Sequence, residues 1–354
     1  MRYIGNKENL IDSIYQSISL RGISGKSFFD VFSGTSNVAK FFKKLNYKVI
    51  SSDLMYYSYV LQKAYIENNS SPTFSKLHNI IETIPSNDLF ATPIHNILNY
   101  LNDLEPKKGF IYNNYTPDGT SNLDKPRMYY TGENGIFIDK VRIQIEEWYK
   151  NNLLSDNEYF ILVASLIETV PFYANISGVY AAFHKKWDSR ALKRMFLREP
   201  EIIINSHSNE CYQCNSINLL NKVEADIFYL DPPYNQRQYA PNYHLLETIA
   251  KYDSPKIKGV SGMRDYTEQK SSFCNVLTAL DDLEKFVKYG KYRHLLLSYN
   301  DEGIMPNDSI IEVLKSNKDS VEIVDFDYLR FKSNNNGTSK NKKFIKEKLY
   351  IVSK

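Results

Sequence analysis

Phe28-Phe29-Asp30-Val31-Phe32-Ser33-Gly34-Thr35-Ser36-Asn37, completed by Lys48-Val49-Ile50-Ser51-Ser52-Asp53, is the stretch that decides the fold. Four of its first five residues are apolar strand formers, with Asp30 among them, and a loop of small residues follows. Val38, Phe41, Phe42 and Leu45 then recur at helical spacing. The second run reads as another strand, ending in an acid about 20 residues beyond the loop. Strand, glycine loop, helix, strand and acid make a nucleotide-type βαβ unit, whose acid can bind ribose hydroxyls.

The loop carries one glycine, Gly34, where a dinucleotide fingerprint has three. Gly34 allows close backbone approach, and the helix that follows favours an anionic group at its start. Asp30, at the strand end, suits a cationic amine. A ligand with an amino-acid tail and a ribose would use Asp30, the Gly34 loop and Asp53 together. S-adenosylmethionine fits that description better than a dinucleotide, because a pyrophosphate demands more glycine.

Further along, Ile227-Phe228-Tyr229-Leu230 runs directly into Asp231-Pro232-Pro233-Tyr234. Two prolines turn the chain sharply at the tip of a buried strand. Asp231 and the Pro232 carbonyl are then two acceptors, and Tyr234 offers a ring. A planar amine such as adenine N6 matches that set: two hydrogens for two oxygens, and a face to stack.

Both sheet-forming blocks are separated by a mostly helical stretch, with a loop-rich interval at 105–135. Helices are expected at 140–149, 158–169 and 272–289. Further strands are expected at 201–204, 225–231, 294–299, 321–326 and 348–352. The predicted architecture is α/β, a Rossmann-like, mostly parallel seven-stranded sheet with a largely helical insertion. Residues 1–55 with 200–354 would form the catalytic domain, and 56–199 a target-recognition insertion. The tract 332–340 has no apolar residue and reads as a loop.

With 354 residues, 42 % apolar and 24 % charged, the chain has the composition of a globular protein. Its net charge of +3 does not announce a polyanion, but the distribution does. Residues 184–198 hold six basic side chains against Asp188, and 330–354 hold eight against Glu347. Three cysteines argue for a reducing compartment, and Cys211-Tyr212-Gln213-Cys214 lacks the second pair that zinc requires, so no metal is expected. Without an apolar leader or a span of about 20 apolar residues, a cytoplasmic enzyme without membrane contact is expected.

Asp30-Val31-Phe32-Ser33-Gly34 followed much later by Asp231-Pro232-Pro233-Tyr234 resembles the class I S-adenosylmethionine-dependent DNA adenine-N6 methyltransferases. The motif order is that of their alpha group. Arg2-Tyr3-Ile4-Gly5-Asn6-Lys7, Asn235-Gln236-Arg237-Gln238-Tyr239 and Ser298-Tyr299-Asn300 look more specifically like the FokI-type adenine methylases. So do Tyr130-Thr131-Gly132-Glu133-Asn134-Gly135 and Ala174-Asn175-Ile176-Ser177-Gly178-Val179-Tyr180. The resemblance implies that Lys7, Asp30, Phe32, Gly34 and Asp53 bind the cofactor, with Asn215 where an acid commonly contacts its adenine. Asp231, Pro232 and Tyr234 would then be catalytic, acting on a flipped base.

Ser36 stands where many relatives have a second glycine, and its small size should be tolerated. Arg237, Lys185, Lys186 and Arg190 are candidates for gripping duplex DNA. A restriction–modification role, beside a cognate endonuclease, is the expected setting. The competing readings are an RNA or protein-glutamine methylase and a catalytically silent DNA-binding protein.

Overall fold

The computed structural model describes residues 7–81, 92–317, 320–329 and 344–354. Arg2 to Asn6 and the tract 332–340 lie outside these, as do Arg330, Lys342 and Lys343 of the basic tail. The chain divides into two compact units. One comprises Gly5–Gln62, Ile203–Ala240 and Thr267–Lys354, and the other Lys63–Ile202 and Pro241–Tyr266.

The first unit is built on strands β1 (Ser27–Asp30), β2 (Lys48–Asp53), β3 (Glu210–Gln213), β4 (Ile227–Leu230), β7 (His294–Asn300), β8 (Ser320–Leu329) and β9 (Phe344–Ser353). The intervening β5 (Ile257–Lys258) and β6 (Met263–Arg264) form a small antiparallel ribbon in the second unit. The seven strands run in the order β3-β2-β1-β4-β7-β9-β8. Pairings from β3 to β7 are parallel, and β9 is antiparallel to both its neighbours.

Alternation along β1 and β4 splits their side chains between two packed faces. Phe29, Val31, Phe228, Leu230, Leu295 and Leu297 join Leu283, Phe286 and Val287 of helix Ala279–Tyr289 in one core. On the other face Phe28 stacks on Phe42 of helix Asn37–Lys44 with ring centroids 3.7 Å apart. Each such buried phenylalanine contributes about 1.5–3 kcal/mol.

Two expectations for the sheet and its packed helix need correction. Residues 201–204 form no strand: Ile203 is buried, but Ile204 is 56 % exposed and no sheet neighbour pairs with them. The edge strand is instead β3, whose polar Glu210-Cys211-Tyr212-Gln213 pairs only with β2. Nor is 272–289 one helix. Ser272–Cys274 makes a 3₁₀ turn, the helix begins at Ala279, and Leu277 between them is 82 % exposed.

The second unit packs helices Pro93–Asp103, Phe110–Tyr115, Gly132–Lys150 and Asp156–Thr169. Thr92, Thr131 and Ser155 cap the first, third and fourth of these, the last in a full capping box with Glu158. Gly135 is needed where it stands, because a Cβ there would sit 2.4 Å from the Thr116 methyl. Helix Phe110–Tyr115 falls inside the interval expected to be loop. Its first amides are held by the buried Asp139 carboxylate, which accepts from Gly109, Ile111 and Tyr112 at 2.7–2.9 Å.

Sequence patterning left Pro241–Tyr266 in the catalytic part, but this segment packs with the helices. Buried Arg142 donates to the carbonyls of Ile249 (2.8 Å) and Ala250 (3.1 Å), satisfying a helix end from outside. Arg127 likewise donates to the carbonyls of Gly259 and Val260, in the turn between β5 and β6. Among the described residues no helix is long and apolar enough to cross a membrane.

Candidate active site

Gly34 takes a left-handed φ of 51° to turn the chain from β1 into the next helix. Its amide donates to Asp53 Oδ2 at 2.9 Å, and Asp53 Oδ1 accepts from Met55 at 2.8 Å. The acid at the end of β2 therefore ties down the glycine loop. Ser36 is also left-handed, with φ 59°, so the position asks for glycine conformation and serine supplies it under strain. Phe32 packs edge-to-face on Phe273 at 5.2 Å.

Asp30 is fully buried, and its Oδ2 has no hydrogen-bond partner. Burial, then the charge of Asp231, push its carboxyl up to about 8, against the partial relief of Ser33 and the Ala39 amide. An orphaned acceptor with this bias is what a ligand ammonium would satisfy. Replacing Asp30 by Asn should therefore separate stability from binding. The carboxyl is raised above its ordinary 3.8, so the unfolded chain binds fewer protons than the folded one between about 4 and 8. Stability is then lost as pH rises through that window. Asp30→Asn should raise the melting temperature at pH 8 by about 2–6 °C, and by less at pH 5, and affinity for a ligand whose ammonium is held here should disappear in calorimetry. Retained affinity, or a lower melting temperature at pH 8, would refute this.

At the end of β4 the chain turns through Asp231-Pro232-Pro233-Tyr234. Tyr234 is bent back so that its hydroxyl donates to Asp231 Oδ1 at 2.5 Å and reaches Glu347 Oε1 at 2.8 Å. Its carbonyl accepts from Ile304 at 2.9 Å, and its ring meets Tyr299 edge-on at 5.2 Å. Lys7, just before helix Ile11–Ser19, is buried beside them. Its Nζ lies 2.5 Å from Glu347 and 3.3 Å from Asp231, and it also bonds the Tyr234 hydroxyl. Burial alone would push the Lys7 ammonium down, but the two carboxylates outweigh it and hold it above its ordinary value. Burial raises Asp231 to about 6, with Lys7 lowering and Glu347 raising it. Burial and both carboxylates push the Tyr234 phenol well up, so it stays a donor.

Asp30, Asp53 and Asp231 all close parallel strands and so reach one edge of the sheet. Sequence reasoning missed Glu347. It arrives at the same edge because β9 runs the other way: it pairs with Asn300, the last residue of β7. Among the described residues here acids outnumber the one buried ammonium, which suits a cationic ligand and opposes a pyrophosphate. Asn215 is engaged locally, capping the 3₁₀ turn Ser216–Leu219 through Ile217 N at 3.1 Å.

The candidate DNA contacts divide. Arg237, beyond Tyr234, is exposed, as are Lys185 and Lys186 of the helical unit. Arg190 instead clamps Asp188 at 2.7 and 3.1 Å, and this contact holds the Asp188 carboxyl down at about 2. The stretch 184–198 is not helical. Two buried amides shape it: Asn175 bonds Met128 O, His184 O and Asp188 N, and Asn134 bonds Ala191 O, Lys193 O and Met195 N. In the tail, Lys348 pairs with Asp325, and Lys354 donates to the Gly290 carbonyl.

Comparison with known proteins gives the arrangement its relatives. The model of the D12 class N6 adenine-specific DNA methyltransferases matches residues 3–313. Type II methyltransferase M.FokI of Planomicrobium okeanokoites is 40 % identical over 94 % of this chain and 50 % of its own length. Modification methylase StsI of Streptococcus sanguinis is 37 % identical over 100 % of this chain and 52 % of its own. The chain thus spans about half the length of these two relatives. It spans 99 % of type II methyltransferase M.NlaIII of Neisseria lactamica, at 34 % identity over the whole of this chain. With its sheet order, its glycine loop and its Asp-Pro-Pro-Tyr turn, the chain belongs to the D12 class N6 adenine-specific DNA methyltransferase family.

Proposed function

We propose that this protein transfers a methyl group from S-adenosylmethionine to N6 of adenine in duplex DNA, as the modification partner of a restriction endonuclease. The observation that carries the reading is Asp231, ionisable near neutrality, at the same sheet edge as the orphaned Asp30 carboxylate and the Gly34 loop. Asp30, Phe32 and the Gly34 loop would hold the amino-acid end of the cofactor, Asp53 its ribose, and Lys7 the acids beside it. S-adenosylmethionine supplies an electrophilic methyl on a positively charged sulfur.

The remaining chemistry belongs to the chain. Adenine N6 is a weak nucleophile because its lone pair is delocalised into the ring. Asp231 and the Pro232 carbonyl accept its two hydrogens, drawing the nitrogen towards a tetrahedral shape that returns density to it. The charge developing on nitrogen is stabilised by the Asp231 carboxylate in a water-poor setting. With a pKa of about 6, Asp231 is ionised at neutral pH yet able to receive the proton that nitrogen sheds after methylation. A duplex hides N6, so the base rotates out at a cost of a few kcal/mol and stacks on Tyr234. The Tyr234 hydroxyl engages Asp231 Oδ1 in this structure, so the arriving amine takes Oδ2 or displaces that bond. The helical unit would read the target, with Lys185 and Lys186 following phosphates.

Incubation with methyl-labelled S-adenosylmethionine and duplex DNA, RNA or protein tests the reading directly. Label in N6-methyladenine of DNA is expected, and long-read sequencing then gives the site. Label in RNA or in protein glutamine would overturn it, and cofactor binding without any turnover would favour a silent DNA-binding protein.

A further inference from the structure

We propose that Glu347 is a positioning residue of the methyl-transfer site, holding Lys7 and Tyr234 so that an Asp231 oxygen stays available to the target amine. The inference rests on the adenine reading above, and Glu347 lies beyond the residues 3–313 that the family model matches. Its Oε1 accepts from Lys7 Nζ (2.5 Å), Tyr234 Oη (2.8 Å) and Ser298 Oγ (2.8 Å). Lys7 sits closer to Glu347 than to Asp231, where the distance is 3.3 Å. The ammonium is therefore drawn off the carboxylate that must receive the substrate. Tyr234 is bonded to both acids, so when an amine claims Asp231 the phenol keeps a partner in Glu347 and its proton is never left unpaired in a buried place. Ser298 on β7 fixes the acid from behind. Among the described residues the titratable groups facing this cluster are Lys7, Asp231, Tyr234, Asp30 of β1, whose carboxyl feels Asp231, and, from β4, the buried Tyr229 hydroxyl, which feels Asp231, Asp30 and Glu347.

Two effects follow from replacing Glu347 by Gln, which keeps an acceptor but removes the charge. Glu347 raises the Asp231 carboxyl, so its loss should move the acid limb of the kcat profile to lower pH, by about one unit. Lys7, left with Asp231 alone, then competes with the amine, and kcat should fall about 10-fold while KM for DNA stays within about twofold. Single-turnover methylation across pH 5–9 reads both. A uniformly reduced profile with an unmoved midpoint would mean a structural role only and would overturn the proposal, as would an unchanged kcat.

The wild-type assay separates the two readings, because absence of methylation there refutes the adenine assignment rather than the role of Glu347. The cluster can also be titrated without turnover, by infrared difference spectra of 13C-aspartate-labelled protein with Asp231→Asn as the blank. The same downward shift of the Asp231 band in Glu347→Gln is expected, and a coincident titration would overturn the proposal.

Discussion

Replacing Asp231 by Ala should abolish methyl transfer while leaving duplex affinity within a few fold. In the proposed mechanism the carboxylate is the acceptor whose contribution grows as positive charge builds on nitrogen, so its removal should raise the barrier without weakening the ground-state complex. Losing one preorganised partner of this kind costs about 10²–10³ in kcat. Here the penalty should be at the upper end or beyond, because Lys7 and the Tyr234 hydroxyl then turn wholly to Glu347 and the vacated place offers nothing to the amine. Single-turnover kinetics beside a gel-shift titration gives both numbers. Normal methylation would remove the basis of the assignment, and a parallel collapse of DNA binding would assign Asp231 to folding or docking instead.

Lys7→Met should be nearly as severe, and for a different reason. Methionine matches the length of the stem but leaves Asp231 and Glu347 facing each other without their shared cation. Breaking a buried pair by deleting one partner costs about 3–5 kcal/mol, so the melting temperature should drop clearly. Lys7 holds the Asp231 carboxyl down, so without it the carboxyl rises above about 6 and the acid limb moves to higher pH. Turnover at pH 7 should fall by more than about 10²-fold, with partial recovery above pH 8. The shift is opposite in sign to that expected for Glu347→Gln. An unmoved profile in Lys7→Met would show that the ammonium does not govern Asp231.

Much of this frame could be read from the residues. The apolar runs at Phe28 and Ile227, the loop at Gly34 and the acid at Asp53 are local patterns, and they became β1, β4, a left-handed turn and the end of β2. What escaped was set by pairing at a distance. The strand β3 shows no alternation of its own, since an edge strand with one neighbour need not bury either face. Residues 201–204 had the composition of a strand but no neighbour to complete the ladder. Glu347 sits among lysines and looked like an interruption of a basic tail. The reversed direction of β9 brings it to the edge where Asp231 sits, and no local window reports strand direction. The irregular course of 174–198 escaped for a related reason: buried asparagines, not periodicity, shape it.

That last arrangement has an evolutionary corollary. Where a surface segment owes its path to amides reaching it from beneath, its outward-facing side chains carry no responsibility for the path. Lys185, Lys186, Leu192, Lys193 and Arg194 are exposed in this way. Exchanging them should leave the scaffold intact, so if the helical unit reads the target as proposed, descendants of this protein could drift towards new target sequences here without first surrendering a folded domain.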